Sequence, residues 1–404
     1  MSSTAVLRRL GTLSVAQFLA RYWQREALCI RQALPHFTSP VDAADLFTLA
    51  ASEDVESRLV RADHRQGRRG APEGGWQVDY GPFAARDLPS PRRPAWTLLV
   101  QGVDLHHAGV AALAQRFSFL PAARFDDVMI SYASDGGGVG PHVDQYDVFL
   151  LQAQGRRRWR IARDYDPRLV EGLPLRVLSH FRHEQEWVLE PGDALYLPPG
   201  VAHEGVAQGE CITISIGFRL SAWQEIAEAW SEHQARTAPR SGRVADTVRK
   251  PTRTPARLPA GLVAAAVQEL RRTPPGTTSV RRTLLEHLSE PKPTVQFTPP
   301  RPQRGLVAFT RMAYRSGVML DLRTRMLYEG PDLALNGELQ DLADRLSKAG
   351  KPGARSVPAL LRELADRRVL ETRALRALDP TAAEPMLHLL HDWYTYGWLH
   401  LRVK

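Results

Sequence analysis

Residues 129–161 read MISYASDGGGVGPHVDQYDVFLLQAQGRRRWRI, and this stretch decides the fold. Its short apolar or alternating runs are separated by glycine turns, a pattern typical of strands in a sandwich or barrel. At its centre lies the sequence His142-Val143-Asp144. Because residues i and i+2 of a strand point to the same face, the His142 imidazole and the Asp144 carboxylate are predicted to lie side by side. Such a pair can occupy two adjacent positions around one metal ion.

A third ligand is expected from a strand that packs beside the first. Residues 189–205, LEPGDALYLPPGVAHEG, contain two turns, a short strand and then His203. Two histidines and one carboxylate with open positions form the facial triad of non-haem Fe(II) oxygenases. An isolated H-x-D motif is more often a surface turn. Here the glycine turn before it, the arginine strand after it and the downstream histidine together favour a metal site.

These stretches resemble the JmjC-type 2-oxoglutarate oxygenases, in particular the bacterial ribosomal oxygenases that hydroxylate an arginine of a large-subunit ribosomal protein. The matching text is GGGVGPHVDQYDVFLLQ, GRRRWRI, LEPGDALYLPPGVAHEG and SIGFR. The resemblance runs from about residue 15 to residue 218 and more loosely to the C-terminus. It implies an α+β chain whose catalytic domain is a double-stranded β-helix, a cupin-like jelly roll.

The resemblance also implies the ligands of the centre. His142, Asp144 and His203 would bind Fe(II), while the cosubstrate 2-oxoglutarate would fill two further positions and dioxygen the last. The implied product is an arginine of large-subunit ribosomal protein sixteen, hydroxylated at its β-carbon.

The basic strand after the glycine turn supplies a partner for the distal carboxylate of the cosubstrate. Strand alternation puts Arg157 on one face and Arg156 and Arg158 on the other. A dry barrel does not easily hold two unpaired charges, so Arg157 is the expected inward residue. It also matches the carboxylate anchor of the resembling family. The alternative is that all three are surface charges. Thr213 and Ser131 are assigned to cosubstrate binding with Arg157.

Three residues are candidates for binding the substrate side chain. Tyr146 and Asp147 follow the H-x-D motif, and an aromatic face and a carboxylate suit a guanidinium. Parity puts Tyr146 on the side of Asp144 and Asp147 on the other side, where structural pairing is its alternative role. Ser215 is the third candidate, on the polar face of the alternating strand 211–218, CITISIGF.

Composition bounds the class of protein. A chain of 404 residues with 43% hydrophobic residues suits two or three domains of a globular protein. Cys29 and Cys211 are its only cysteines, so no disulfide framework is implied and a reducing cytoplasm is the expected location. No apolar run approaches the length of a membrane-spanning helix, and the first residues lack the apolar core of a secretory signal.

The net charge of +9 favours anionic partners. Residues 231–300 hold 12 Lys/Arg and 5 Asp/Glu, a net of +7, so this region is either a solvated basic linker or a contact for ribosomal RNA. A basic ribosomal protein would instead need acidic docking groups. Glu53-Asp54 with Glu56, and Asp126-Asp127, are candidates for that role.

The expected domains are a catalytic domain over 1–219, a helical dimerisation region with a basic Pro-rich linker over 220–292, and a winged-helix-like domain over 293–404. Short separated helices cannot form a core alone, and the resembling family dimerises through such helices, so a homodimer is expected. In the last domain, strands are predicted at 318–321 and 326–328, and helices at 337–348, 357–366 and 383–394.

Two other functions fit the same residues. One is a JmjC reaction on a different protein, such as histidine hydroxylation or lysine demethylation, which would use the same three ligands. The other is a cupin-like binding protein without enzymatic activity that carries a nucleic-acid module.

Overall fold

The computed structural model describes residues 5–62, 75–237, 260–272, 274–340, 356–378 and 380–402. The chain divides into two compact units, 1–220 and 221–404.

The first unit is built mainly of antiparallel strands with helices near its start. The helices are α1 (Val15–Arg21), α2 (Ala43–Ala50) and α3 (Ala108–Gln115). The strands are β1 (Arg9–Leu10), β2 (Leu13–Ser14), β3 (Leu28–Ile30), β4 (Ser57–Ala62), β5 (Trp76–Tyr80), β6 (Trp96–Val100), β7 (Phe125–Ala133), β8 (His142–Val143), β9 (Asp147–Ala162), β10 (Gln185–Leu189), β11 (Ala194–Leu197) and β12 (Ala202–Phe218).

The early helices begin where side chains satisfy free backbone N–H groups. The Ser14 side chain accepts from the Gln17 backbone, and the Gln17 side chain accepts from Ser14 N, so α1 begins with a capping box. The His107 ring nitrogen Nδ1 accepts from Val110 N at 3.4 Å and caps α3. This histidine therefore has a structural role.

Two long strands hold the jelly roll together. The strand order is β3-β11-β9-β12-β7-β6-β4-β5, with β10 also paired to β9 and β8 to β12. The first part of β9 pairs with β11 and its last part with β10, while β12 pairs with β9 over most of its length. The predicted double-stranded β-helix is confirmed. Its closure brings strands from distant parts of the sequence to one interior.

Strand β12 shows how the sequence assigns its two faces. Ile212, Ile214 and Ile216 belong to the main core, together with buried side chains of α1 and α2. Thr213 points to the opposite face, where it contacts the buried Arg157. The alternation read from CITISIGF is therefore confirmed, and the polar face is the one inside the barrel.

The second unit combines helices with two small sheets. Its helices are α4 (Trp223–Thr237), α5 (Ala260–Leu270), α6 (Thr277–Ser289), α7 (Leu306–Ser316), α8 (Val357–Arg367), α9 (Thr372–Arg376) and α10 (Pro380–Thr395). Its strands are β13 (Val318–Leu320), β14 (Met326–Glu329), β15 (Asp332–Leu335), β16 (Glu338–Leu339), β17 (Val369–Leu370) and β18 (Leu399–Leu401). The sheets have the orders β17-β13-β18 and β14-β15-β16.

Helix α6 is tied to the β14-β15-β16 sheet. Arg281 Nε and Arg282 Nε donate to the two carboxylate oxygens of Asp332 at 2.7 and 3.0 Å, and Gly337 N donates to Ser289 Oγ at 3.1 Å. The predicted boundary at residue 292 and the winged-helix-like class of the C-terminal part stay predictions.

The helix predicted over 337–348 is wrong at its start. Glu338 and Leu339 form strand β16, paired with Leu335 and Ala334 of β15, and residues 341–348 lie outside the described residues. The preceding strand and a turn with positive φ at Asn336 and Gly337 extend the hairpin, which helical spacing alone does not reveal. No helix in the described part of the chain is long and apolar enough to cross a membrane.

Candidate active site

His142 and His203 are brought together by strand pairing. They are direct partners in the antiparallel pairing of β8 with β12, and their ring centroids lie 4.2 Å apart. Asp144 follows immediately after β8, with its Oδ2 3.7 Å from His203 Nε2. One ligand atom from each of the three residues lies within 4.8 Å of the others. The residues that the sequence proposed as a triad thus converge in space.

The tautomer of both rings suits metal binding. His142 Nδ1 lies 2.9 Å from Gly140 O, and His203 Nδ1 lies 3.1 Å from Val201 O. Since a carbonyl oxygen only accepts, each Nδ1 carries a proton, and Nε2 is the ring atom that is left to bind a metal. Burial, aided by the neighbouring His142, lowers the pKa of His203 to about 4, so this imidazole is neutral at pH 7. Two histidines and an aspartate form a donor set that fits a divalent transition metal such as Fe(II).

Arg157 lies on the inner wall of the barrel and is 3% exposed. Its Nη1 donates to Ser131 Oγ at 2.9 Å and to Thr213 Oγ1 at 3.5 Å, and its Nη2 donates to Gly205 O at 3.2 Å. These three acceptors are neutral. Burial lowers the pKa of Arg157, as expected for a cation held among uncharged groups. A buried guanidinium in such surroundings is a site for an anion.

The predicted strand register is confirmed at the three arginines. Arg156 is exposed, and Arg158 lies on the outer side, with its Nε 4.0 Å from Glu186 Oε2. Arg157 alone of the three is buried.

Glycines let the wall around Arg157 close tightly. A Cβ on Gly205 would lie 2.7 Å from Arg157 Nε and equally close to the Trp159 ring. A Cβ on Gly138 would lie 2.6 Å from Gly205 O, the oxygen that accepts from Arg157. The glycine turn that the sequence placed before the H-x-D motif therefore packs on the carbonyl that orients the guanidinium.

Gln152 is a site residue that the sequence reasoning missed. It is fully buried, and its Oε1 accepts from Thr213 Oγ1 at 3.1 Å. Gln152 and Arg157 differ in strand parity, yet both contact Thr213. Gly155, with φ of 63°, interrupts the alternation between them. Alternation counted from Tyr146 already places Gln152 on the face of the metal ligands, so strand parity was the signal that could have found it.

Tyr146 lies beside the metal ligands, as predicted. It packs against a cluster of apolar side chains that includes Val148 and Trp159. Burial, and then the nearby Asp144 and Asp127 carboxylates, raise the pKa of the Tyr146 hydroxyl, so it stays protonated. Asp127, which the sequence suggested only as part of a surface patch, is thus close to Tyr146.

Ser215 is 8% exposed and is the cross-strand partner of Met129 in β7 and of Leu150 in β9. It lies two residues along β12 from Thr213, on the same face of the strand. Its position is compatible with the predicted contact to a substrate side chain.

Assigning Asp147 to substrate binding was wrong. Its side chain is fully buried, and its carboxylate accepts from Gln24 Nε2 at 3.1 Å, Arg124 Nη2 at 3.1 Å and Tyr196 OH at 2.6 Å. Burial raises the pKa of Asp147 although these three donors act to lower it. The residue lies on the core face of β9 and holds α1 and its following turn to the sheet, which was the alternative role.

Comparisons with known proteins agree with this geometry. The JmjC domain family matches residues 112–226. The chain is 38% identical over 229 residues to the ribosomal protein uL16 3-hydroxylase of Escherichia coli, which covers 55% of this chain and 57% of that protein. It is 37% identical over 207 residues to a probable ribosomal oxygenase of Haemophilus influenzae, covering 50% and 48%. The chain thus spans about half the length of these curated relatives.

Solved structures extend the likeness to both units. The ribosomal oxygenase YcfD of Escherichia coli, solved with cobalt and 2-oxoglutarate, has 30% sequence identity and a TM-score of 0.76, covering 97% of this chain and 99% of that one. The jelly roll and the converging triad define a JmjC-type oxygenase fold. Within that class, the chain belongs to the bacterial ribosomal oxygenase family.

Proposed function

We propose that this protein is an Fe(II)- and 2-oxoglutarate-dependent hydroxylase that acts on an arginine of ribosomal protein uL16. The observation that carries the proposal is the pairing of two features in one barrel. His142, Asp144 and His203 form a two-histidine, one-carboxylate donor set. On the wall of the same barrel, the buried Arg157 guanidinium is surrounded by neutral acceptors. The relative that acts on uL16 and the structure that contains 2-oxoglutarate support the same assignment.

In this proposal, His142 Nε2, His203 Nε2 and an Asp144 carboxylate oxygen hold the metal. Bound Fe(II) would there supply the oxidation of 2-oxoglutarate by dioxygen to succinate and carbon dioxide, in which one oxygen atom enters succinate and the other hydroxylates an unactivated C–H bond of the substrate. The protein contributes placement and a dry surrounding. The Gly140 and Val201 carbonyls fix the two histidine rings. Gly200 N donates to the backbone carbonyl oxygen of Asp144 at 2.8 Å and so fixes the backbone of the third ligand.

Arg157 is proposed to bind the distal carboxylate of 2-oxoglutarate. Ser131 and Thr213 are proposed to help by holding the guanidinium at Nη1. Nε–H and the second Nη2 hydrogen remain for the ligand, because among the described residues Nη2 donates to Gly205 O alone and the buried Nε has no hydrogen-bond partner. A charge-assisted arginine–carboxylate pair is both strong and geometrically specific.

The substrate arginine is proposed to enter beside Tyr146. The aromatic ring offers a face for a guanidinium, Ser215 offers a hydroxyl, and Asp127 adds negative charge near the Tyr146 hydroxyl. A carboxylate near Tyr146 suits the guanidinium of a basic ribosomal protein, although the enzyme itself is net basic.

The substrate assignment is tested with a synthetic uL16 peptide that contains the target arginine. Iron-loaded protein with 2-oxoglutarate and air should add the mass of one oxygen atom to the peptide. The same peptide with lysine in place of arginine should stay unmodified, because an ammonium does not match a planar guanidinium. Equal turnover of both peptides, measured by mass spectrometry, would contradict arginine recognition. Succinate release without any peptide oxidation would contradict uL16 as substrate.

The protein is further proposed to form a homodimer in the cytoplasm. Helix α5 exposes an apolar face with Leu262, Val263, Val267 and Leu270 between 39% and 66% exposed, and Trp223 of α4 is 86% exposed. Large apolar groups left in water are typical of surfaces that pair with another chain. Light scattering at micromolar concentration should give about twice the 45.1 kDa mass of one chain, and a monomer mass would contradict the proposal.

The basic region 231–300 is proposed to contact ribosomal RNA, as its net charge of +7 favours. Much of it, residues 238–259, lies outside the described residues. Binding to ribosomal RNA that weakens steeply as salt rises would support this contact.

A further inference from the structure

Trp159 lies on the barrel wall between the two ends of the proposed site. In β9 it is two residues from Arg157, and its cross-strand partner in β12 is Gly205. Its ring centroid lies 5.1 Å from Arg157 Cζ and 6.0 Å from the His203 ring. One indole therefore contacts both the guanidinium and the neighbourhood of a metal ligand.

The indole N–H of Trp159 lacks a partner. The side chain is only 5% exposed, and Nε1 has no hydrogen-bond acceptor among the described residues. Buried donors in native proteins are nearly always satisfied, because losing water without gaining a partner is unfavourable. The acceptor for this donor is therefore expected to come from a bound molecule.

Arg157, the neighbouring inward residue of β9, also has a buried N–H donor without a partner among the described residues. Its Nη1 and Nη2 have protein acceptors, whereas its buried Nε has none. The guanidinium lies over the indole face, so the two side chains hold each other in place. Gly205 keeps them close, because a Cβ there would approach both Arg157 Nε and the Trp159 ring to 2.7 Å. Two neighbouring side chains of one wall thus each carry a buried donor that has no partner among the described residues.

We propose that the Trp159 indole N–H, together with Arg157 Nε, binds the distal carboxylate of the cosubstrate and makes the site selective for dicarboxylic 2-oxo acids. A carboxylate has two oxygens that can accept several hydrogen bonds, so it can satisfy both donors at once. This role rests on the proposed function, since it assumes that 2-oxoglutarate occupies the barrel. Trp159 is then a specificity-determining residue that contacts the cosubstrate.

The test uses the full chain loaded with Zn(II), which keeps the site assembled without turnover. Calorimetry compares 2-oxoglutarate with 2-oxopentanoate, which has the same five-carbon chain but no distal carboxylate. Trp159→Phe keeps an aromatic ring beside Arg157 and removes the N–H. It should weaken 2-oxoglutarate about tenfold, which corresponds to about 1.4 kcal/mol, and should leave the affinity for 2-oxopentanoate within about twofold of wild type.

Trp187→Phe is the matched control. Trp187, in β10, is the cross-strand partner of Trp159 and is only half-buried. The Trp187→Phe variant should bind both acids with the affinity of wild type. Equal binding of 2-oxoglutarate by wild type and Trp159→Phe would overturn the inference. A loss of the same size for both acids would also overturn it, because that pattern reports general repacking.

A second measurement needs only the wild-type protein. The chain has nine tryptophans, so a ¹⁵N-labelled sample should show their indole N–H signals in an NMR spectrum. Adding 2-oxoglutarate should shift one indole signal downfield, and 2-oxopentanoate should not. If 2-oxoglutarate binds but no indole signal moves, Trp159 does not bind it and the proposed function stands alone. If 2-oxoglutarate does not bind wild type at all, the proposed function itself fails.

Discussion

Replacing Arg157 by methionine tests whether the barrel holds 2-oxoglutarate through one buried charge. Methionine keeps much of the side-chain volume and removes the guanidinium. The acceptors around Arg157, namely Ser131 Oγ, Thr213 Oγ1 and Gly205 O, are neutral, so none of them can replace its charge for a bound carboxylate. Truncating one partner of a buried hydrogen-bonded charge pair costs about 2–5 kcal/mol of binding free energy. At about 1.4 kcal/mol for each tenfold change, the affinity should fall by roughly thirtyfold or more.

In the ligand-free protein, Arg157→Met should not lower the free energy of unfolding. A buried cation among neutral groups is destabilising, so Arg157→Met should be at least as resistant to unfolding as wild type without ligand. With 2-oxoglutarate at 100 times the wild-type Kd, wild type should gain about 2.7 kcal/mol in free energy of unfolding. A variant that binds thirtyfold more weakly should gain only about 0.9 kcal/mol at that concentration. Calorimetric titration and chemical denaturation measure the two effects separately.

Arg156→Met and Arg158→Met are the matched controls, because one side chain is exposed and the other lies near Glu186 on the outer side. Their affinities for 2-oxoglutarate should stay within a few-fold of wild type, and metal binding should be nearly unchanged in all three variants. The reasoning is refuted if Arg157→Met binds 2-oxoglutarate like wild type, or if the large loss appears at Arg158 instead.

Five further substitutions, at the metal ligands, at Gly205 and at Asp147, probe other parts of the structure. Alanine at His142, Asp144 or His203 should abolish 2-oxoglutarate turnover while the circular dichroism spectrum stays native, and full activity in any of the three would remove that residue from the triad. Gly205→Ala should weaken 2-oxoglutarate by about tenfold without loss of metal binding, because its Cβ would approach Arg157 Nε and the Trp159 ring to 2.7 Å and overpacking costs about 1–3 kcal/mol. Asp147→Ala should lower the free energy of unfolding by about 3 kcal/mol, because it leaves buried donors unpaired. In the folded Asp147→Ala variant the KM for the peptide should stay unchanged. A selective rise in that KM would show that Asp147 contributes to substrate binding.

The sequence correctly predicted those site residues that can be recognised from a short motif or from strand alternation. The H-x-D motif, the later histidine and the inward position of Arg157 follow from strand alternation and from the difficulty of burying two unpaired charges. Gln152 was not predicted, although alternation from Tyr146 places it on the same face; Gly155 shifts the alternation only between Gln152 and Arg157. It assigned Asp147 to the substrate because the residue adjoins the motif, although parity already placed its side chain on the core face.

What the sequence determined by itself was the strands around the H-x-D motif, the polar face of β12 and the donor set, since each is encoded within a few neighbouring residues. The tertiary structure alone decided which donors remain without protein partners. Arg157 and Trp159 lie in β9, and the carbonyl of Gly205 that meets the guanidinium lies in β12, more than 40 residues further along the chain. Whether a buried N–H is satisfied depends on the pairing of these two strands and on close contacts set by Gly205 and Gly138, and no local pattern contains that information.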